Sequence, residues 1–295
     1  MGWGEQLKSF WEEQATSIMN ATDHLRLGAR PSDEEEATVR YMQQCHKRGA
    51  QVIRIKNKGI FLGKKELMNT KIYDYLLHQQ FLIKHGEKIY QEERLEKRLA
   101  QIEEGELVFD RSLEIEGHAP QLKEESSNSD YRAKGSYYDR LSAVKYAERW
   151  WDDSNPSYQA FDVDCTNYIS QCLHAGKAPM RGYPDRTKGW WSQGNNWSYS
   201  WSVAHALRWH LSSSKNGLRA REVAYADELG PGDIICYDFD GDGRWEHTTF
   251  VVDQDEKGHP LVNAHTTNSR LRYWAYEDST AWTPEIKYKF FHIED

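Results

Sequence analysis

The sequence lacks the features that mark membrane-spanning and nucleic-acid-binding proteins. It has no apolar run near the roughly 18–20 residues that cross a bilayer, and it has no block of basic residues. The net charge is −8, whereas binding to nucleic acid requires clustered Lys and Arg to neutralise phosphates. We therefore expect no membrane span and no nucleic-acid partner. The oligomeric state is left open.

The first residues, MGWGEQLKSFWEEQATSIM, lack the basic stretch followed by an apolar stretch that is typical of a signal peptide. The sequence therefore predicts a cytoplasmic protein. The alternative is an extracellular or cell-wall protein that is exported by a route the sequence does not show.

Cysteine is scarce and dispersed. The four cysteines are Cys45, Cys165, Cys172 and Cys236, and none belongs to a CxxC pair. This spacing disfavours a zinc ribbon, a thioredoxin-like site and a disulfide scaffold. All except Cys165 lie in segments with apolar periodicity, so we expect those three to be buried small hydrophobic residues.

The N-terminal third combines a helix with alternating strands. Ser32 and Glu35 form a capping-box pattern, and Gly49 is placed to end the helix. The segment that follows alternates like a strand with a turn at Asn57–Gly59, and a hairpin is predicted about His85–Gly86. No constellation of chemically active residues occurs here, which indicates a scaffold or recognition role.

Composition divides the chain into three parts. Residues 1–117 form a small predicted α+β domain of unknown role, in which the stretch 92–102 fits either a helix or a strand. Residues 118–136 are polar and charged and are predicted to be a linker. Residues 137–295 form a second, Trp-rich domain that carries nearly all the candidate site residues.

Cys165 opens the stretch CTNYISQCLHAG, whose apolar spacing predicts a helix that ends at Gly176. Asp164 precedes the helix and is suited to cap it. The unpaired N–H groups and the positive end of a helix favour a thiolate and can donate to an oxyanion. Position alone fits a buried structural cysteine equally well.

A thiolate nucleophile needs a base. The turn at Pro231–Asp233 introduces a predicted strand, and after an acidic loop His247 opens a second strand. His265 lies on the next predicted strand and is expected to line up near His247. A cysteine at a helix start, a histidine on one strand and a polar residue on the neighbouring strand form the arrangement of papain-type enzymes. A strand-end surface histidine is the alternative interpretation of His247.

Four motifs in order carry a family resemblance: DCTNYISQCLHAG, PGD, DFDGDGRWEH leading into TTFVV, and NAHT. Together they resemble the bacterial family named "putative amidase domain", which groups with papain-like cell-wall hydrolases near the CHAP and NlpC-type peptidases. The resemblance covers Tyr137 to Asp295. Lys177 stands where the family pattern suggests a second glycine.

This resemblance implies a papain-like (NlpC/CHAP-like) α+β domain with a small antiparallel sheet and an N-terminal nucleophile helix. It implies Cys165 as the nucleophile, His247 as the base and His265 as the third member, although Asn263 and Asn268 could orient the imidazole equally well. The candidates for holding the oxyanion are Asp164, at the helix start, and Gln159, which lies six residues before Cys165.

The implied function is a cysteine-dependent amidase or peptidase, a bacterial hydrolase that cleaves an amide or peptide bond through a thioester, with peptidoglycan peptides as one candidate substrate. Two alternatives remain open. One is a non-catalytic module that binds peptide or glycan on a papain-like fold, and the other is an acyltransferase that uses the same cysteine.

Aromatic residues concentrate in a Gly-, Ser- and Asn-rich stretch before a helix predicted from Trp201 to Leu211. Such rings either line a substrate groove or pack the loop onto the domain. The groove candidates are Trp190, Trp191, Trp197 and Tyr199.

The loop DFDGDG places Asp238, Asp240 and Asp242 at alternate positions before Gly243, like the start of a calcium loop. The twelfth position is Thr249, where an EF-hand has a glutamate, and Asp and Gly are also common in ordinary turns. No cofactor is required by the predicted chemistry. A structural calcium ion that holds this loop is one interpretation, and a solvated turn is the other.

Overall fold

A computed structural model describes residues 3–20, 32–113 and 137–294. These residues fall into two compact units. Of the described residues, the first unit comprises 3–20 and 32–113 with the short segments Thr267–Ser269 and Tyr276–Thr280, and the second holds the remainder. The predicted linker, residues 118–136, lies outside the described residues.

The first unit contains two helices and an antiparallel sheet whose strands follow one another in chain order. The elements are α1 (Trp3–Asn20), α2 (Asp33–Arg48), β1 (Ala50–Leu67), β2 (Thr70–His85), β3 (Lys88–Glu103) and β4 (Glu106–Ser112). The prediction for α2 is confirmed, because the Ser32 hydroxyl accepts the Glu35 N–H and the Glu35 carboxylate accepts the Ser32 N–H. Gly49 ends the helix with a left-handed φ of 77°.

The predicted turn at Asn57–Gly59 is wrong. β1 runs through it, and Asn57 and Gly59 pair with Gln79 and Leu77 of β2. The pairing of β1 with β2 is continuous here, and it is favoured over a local turn because each paired residue forms inter-strand hydrogen bonds and cross-strand contacts that a turn would lack. The same pairing decides the ambiguous stretch 92–102, which belongs to β3. The predicted hairpin at His85–Gly86 is confirmed.

The second unit places helices against a sheet with the strand order β11-β10-β9-β8-β12-β7. Its elements are α3 (Arg140–Trp150), α4 (Cys165–Ala175), β5 (Ser192–Gln193), β6 (Asn196–Trp197), α5 (Tyr199–Ser202), α6 (Ala204–Ser213), β7 (Ala220–Val223), β8 (Ile234–Asp238), β9 (His247–Gln254), β10 (Pro260–Ala264), β11 (Asn268–Tyr273) and β12 (Lys287–Ile293). The helix predicted from Trp201 to Leu211 is interrupted at Val203, which is extended (φ −123°, ψ 122°).

Helix α4 packs its apolar side into the core of this unit. Ile169, Cys172 and Leu173 are fully buried and share one cluster with Cys236 of β8 and Phe250 of β9. The mixture of helices with antiparallel strands confirms the predicted α+β class. None of the described helices combines the length and apolar character needed to span a membrane.

Gly176 ends α4 for a steric reason. Its φ of −76° is open to any residue, but a Cβ at this position would lie 2.4 Å from the ring of Tyr138. Real Cβ atoms do not approach a neighbour so closely. The glycine therefore lets Tyr138 close over the end of the helix, where its hydroxyl donates to the carbonyl of Gly232 (2.9 Å).

Candidate active site

Cys165 is the first residue of α4, as predicted, and only 2% of it is exposed. Asp164 occupies the N-cap position, but its side chain makes no capping hydrogen bond. The expectation that this side chain caps the helix is therefore wrong. The N–H groups of the first turn, which have no partner inside a helix, are left without this cap next to the thiol.

The Cys165 thiol lies among hydroxyl groups. Its Sγ is 3.6 Å from Oγ1 of Thr166, which in turn lies 3.3 Å from Oγ1 of Thr248 on β9. Burial raises the pKa of Cys165, and hydrogen bonds with Thr166 and Thr248 partly lower it. In the free protein burial therefore outweighs these hydrogen bonds in setting the pKa of Cys165. A base is needed to ionise the thiol.

The other three cysteines are buried and unbonded, which confirms their predicted role as small core residues. Burial raises the pKa of Cys45 to about 11. It raises those of Cys172 and Cys236 further. We therefore expect these three thiols to be unreactive, because burial keeps them protonated and out of reach of reagents.

His265 follows the end of β10 and forms a buried ion pair with Asp164. Its Nδ1 lies 2.9 Å from Oδ2 of Asp164, and its Nε2 lies 2.6 Å from the carbonyl oxygen of Trp150. Its ring stacks on Tyr168 with centroids 4.0 Å apart. Both partner atoms are acceptor oxygens. The structure thus joins His265 to the residue before Cys165.

The remaining residue of the DCTN motif completes this network. Asn167 donates to Oδ1 of Asp164 (2.7 Å) and to the carbonyl of Gln159 (2.9 Å), and its Oδ1 accepts from Nε1 of Trp201 (2.8 Å). Asn167 was not among the predicted site residues, although its place one turn after the predicted cap was a usable signal. Asn167 fixes the carboxylate that holds His265.

Neither predicted oxyanion side chain points its donors at the thiol. Asp164 has only acceptor oxygens, and both are engaged. The exposed Gln159 donates its amide to the carbonyl of Ala160 (2.9 Å). Both expectations are therefore corrected. The available donors are the backbone N–H groups at the start of α4.

His247 opens β9, as predicted, and pairs with Tyr237 of β8. Its ring centroid lies 5.6 Å from that of Tyr237 and 6.1 Å from that of Phe239. Since side chains alternate along a strand, this face is opposite to the one on which Thr248 meets α4. Burial, together with the charge of Arg272, lowers the pKa of His247 to about 3.

The structure therefore groups the predicted site residues in two sets. The Cys165 thiol is hydrogen-bonded with Thr248 on the α4 face, and His265 is joined to Asp164, the residue before Cys165. His247 stands on the opposite face. The predicted alignment of His265 beside His247 is replaced by the ion pair with Asp164. Thr248, which sequence analysis missed, could have been found from the alternation in HTTF.

Two of the four groove candidates are core residues. Trp190 and Trp191 are 0% and 1% exposed. The Trp190 indole donates to Oγ of Ser170 (2.9 Å), and its ring stacks on Trp201 with centroids 5.0 Å apart. The groove expectation is therefore wrong for Trp190 and Trp191, because both rings are fully used in packing.

Trp197 and Tyr199 are partly exposed and stay groove candidates. The exposed guanidinium of Arg186 lies 5.1 Å from the Trp197 ring centroid and 5.2 Å from that of Tyr199. Phe161, four residues before Cys165, meets Trp197 edge-on at 4.9 Å. These four side chains form an aromatic and cationic lip that is joined through Phe161 to the segment leading into α4.

The three predicted calcium ligands lie together in the β8–β9 loop. Asp238, Asp240 and Asp242 are joined there by Glu246, which sequence analysis missed. One ligand atom from each residue lies within 4.8 Å of those of the other three. The carboxylates could hold a metal ion.

Comparisons with known proteins agree with the motif resemblance. The model of the family described as "Putative amidase domain" matches residues 137–291. The chain therefore belongs to the putative amidase domain family, whose description points to amide-bond hydrolysis.

Two proteins of Bacillus subtilis (strain 168) are similar to the chain. It is 47% identical to the uncharacterized protein YhbB over 260 residues, which cover 84% of this chain and 83% of YhbB. It is 29% identical to the uncharacterized protein YjcM over 140 residues, which cover 44% of this chain and 31% of YjcM. No solved structure matches the chain.

Proposed function

We propose that the second unit is a cysteine-dependent amidase with a papain-like arrangement, in which Cys165 attacks an amide carbonyl. The observation that supports this most is the thiol at the first residue of α4, beside N–H groups that the Asp164 side chain does not cap. The family description supports the amide as the bond attacked.

The proposed reaction has two stages. The thiol loses its proton to a base, and the sulfur bonds to the carbonyl carbon while the oxyanion accepts hydrogen bonds from the backbone at the helix start. The protonated base then gives the proton to the leaving amine as the C–N bond breaks, which leaves a thioester on Cys165. Water adds to the thioester and releases the acid and the thiol.

The proposed proton acceptor is His247, whose pKa, lowered to about 3 in the free protein, must rise when substrate binds for it to take the thiol proton. His265 is a poor alternative, because both its ring nitrogens already lie within hydrogen-bonding distance of acceptor oxygens. His247 and Thr248 point to opposite faces of β9, so a rotamer change alone does not bring the imidazole to Cys165. The proposal therefore requires the backbone at the start of β9 to move when substrate binds. Catalytic hydrogen bonds commonly tighten only in the substrate complex.

The lip of Phe161, Trp197, Tyr199 and Arg186 supports a peptide substrate. Aromatic faces pack against backbone and apolar side chains, and an exposed guanidinium selects carboxylate groups. A stem peptide of peptidoglycan has both an amide backbone and free carboxylates, so we propose cell-wall peptides as the substrate class to test first. An export route is implied if they are the natural substrate.

The deciding experiment compares Cys165→Ala with Cys172→Ala on a library of peptide amides that includes cell-wall fragments. We expect Cys165→Ala to lower kcat by a factor on the order of 10³ or more and to abolish a thioester adduct seen by mass spectrometry. Cys172→Ala should retain both. Full activity in Cys165→Ala would disprove the proposal.

The same assay separates the alternatives. Release of acid in water indicates a hydrolase, whereas transfer to an added amine indicates an acyltransferase that uses the same thioester. Binding of a peptide with no adduct at any pH would indicate a binding module. His247→Ala and His265→Ala, compared by their pH–rate profiles, test the proton acceptor independently of the nucleophile.

A further inference from the structure

We propose that the β8–β9 loop is a binding site for one hard divalent cation of the calcium class, held by Asp238, Asp240, Asp242 and Glu246. This site goes beyond the proposed amidase function and does not depend on it. Calcium takes six to eight oxygen ligands in flexible geometry. The four carboxylates, whose ligand atoms lie within 4.8 Å of one another, would supply the ligands that come from the protein.

The strongest observation is the state of Asp238. This residue is fully buried at the end of β8. Its Oδ2 accepts the N–H of Gly243 (2.9 Å), but its Oδ1 is buried with no hydrogen-bond partner. A buried carboxylate oxygen without a partner is costly. A cation among the four carboxylates would satisfy that oxygen.

The negative charge of the cluster also favours a bound cation. One ligand atom from each of the four carboxylates lies within 4.8 Å of those of the other three. Four close acids therefore repel one another, and a divalent ion is the partner that would remove this repulsion.

The loop is also shaped as a cradle. Gly243 has a left-handed φ of 94°, which lets its N–H reach back to Asp238. The backbone N–H of Arg244 is accepted by Oδ1 of Asp242 (2.7 Å), and Lys287 on the neighbouring strand donates to the carbonyl of Gly241. These bonds hold the loop closed while other carboxylate oxygens stay available.

The site differs from an EF-hand in ways that the structure explains. The loop joins two strands instead of two helices, and its fourth carboxylate is at the ninth position, Glu246. Thr249, at the twelfth position, is buried in β9 and its hydroxyl lies 3.0 Å from that of Tyr237. The EF-hand spacing therefore predicts the fourth carboxylate at position 249, whereas the structure has it at Glu246.

Cation binding would fix the connection between β8 and the first residues of β9. Glu246 directly precedes His247, and Thr248 contacts Thr166 of α4. We therefore expect the ion to stabilise the unit and to order the start of β9.

The test uses the metal alone on the full chain. Terbium binds calcium sites, and its luminescence is sensitised by a nearby indole, here Trp245 in the same loop. We expect saturable terbium luminescence that calcium displaces and a calcium dissociation constant below about 1 mM. Calcium should also raise the thermal midpoint.

Asp240→Asn and Asp242→Asn change exposed ligands, so they should fold normally and weaken calcium binding at least tenfold. Asp152→Asn removes an equal charge from an exposed residue away from the loop and is the matched control. Absence of calcium binding up to about 10 mM, or an equal loss of binding in Asp240→Asn and Asp152→Asn, would overturn the proposal.

Discussion

Two cysteines on helix α4, two turns apart, have the same chemistry and nearly the same burial, but the fold uses them differently. Cys165 and Cys172 are 2% and 0% exposed. Cys165 starts the helix among hydroxyls and helix-start N–H groups. Cys172 faces the apolar core with Ile169 and Leu173. Burial alone therefore does not identify a nucleophile, and the position along the helix does.

The largest expected difference is in alkylation rate. Reaching Cys172 requires opening of the core, whereas Cys165 lies at a helix end. We expect Cys165 to react with iodoacetamide at least about 10³-fold faster in the folded protein. Peptide mass spectrometry of the time course measures both rates, and equal rates would remove the distinction between the two ends of α4.

The rate at Cys165 should also rise with pH. Burial raises the pKa of this thiol, so the neutral form predominates near pH 7, and the thiolate fraction grows about tenfold per pH unit below the pKa. A rate that is flat from pH 6 to pH 8 in the free protein would show that the thiol is already ionised.

The next effect concerns the ion pair at the start of α4. In the His265–Asp164 pair the side chains are only 5% and 12% exposed. His265→Leu leaves a mostly buried carboxylate with one partner fewer, so we expect the free energy of unfolding to fall by roughly 3 kcal/mol. The exposed His46→Leu on α2 is the control and should change it by less than about 0.5 kcal/mol. Urea denaturation measures both, and equal effects would contradict a structural ion pair.

A smaller effect comes from the same substitution at the two cysteine sites. Cys172→Ser puts a hydroxyl into the apolar core and should cost about 1–3 kcal/mol of unfolding free energy. Cys165→Ser puts it among Thr166 and Thr248, where it can be hydrogen-bonded, and should cost less than about 1 kcal/mol. A reversed order in thermal or urea denaturation would show that Cys165 lies in the more apolar environment.

The smallest expected effect tests the two faces of β9. Thr248→Val removes a hydroxyl that helps to lower the pKa of Cys165, so alkylation at neutral pH should slow about fivefold, as expected for the loss of about 1 kcal/mol of hydrogen bonding. Thr249→Val is equally buried but lies on the Tyr237 face, and it should leave the rate unchanged. Equal slowing in both variants would indicate a general loss of structure.

Local patterns in the sequence predicted local structure well. The capping box of Ser32 and Glu35 and the start of α4 at Cys165 depend on neighbours within a few residues, and both were found. The turn at Asn57–Gly59 failed because a long-range ladder extends β1 through it. Trp190 and Trp191 were misplaced because a loop rich in Gly and Ser gives no indication that its rings are covered.

The sequence by itself determined the family, the α+β class of the second unit and the candidate nucleophile, because motif order, periodicity and helix-start signals are properties of short segments. Tertiary structure alone decided what each polar side chain meets. In the folded chain the Asp164 carboxylate contacts His265, which is 101 residues away in the chain, instead of capping α4. His247 and Thr248 lie on opposite faces of β9. Those outcomes depend on strand register and helix packing, which are fixed only when distant segments pair.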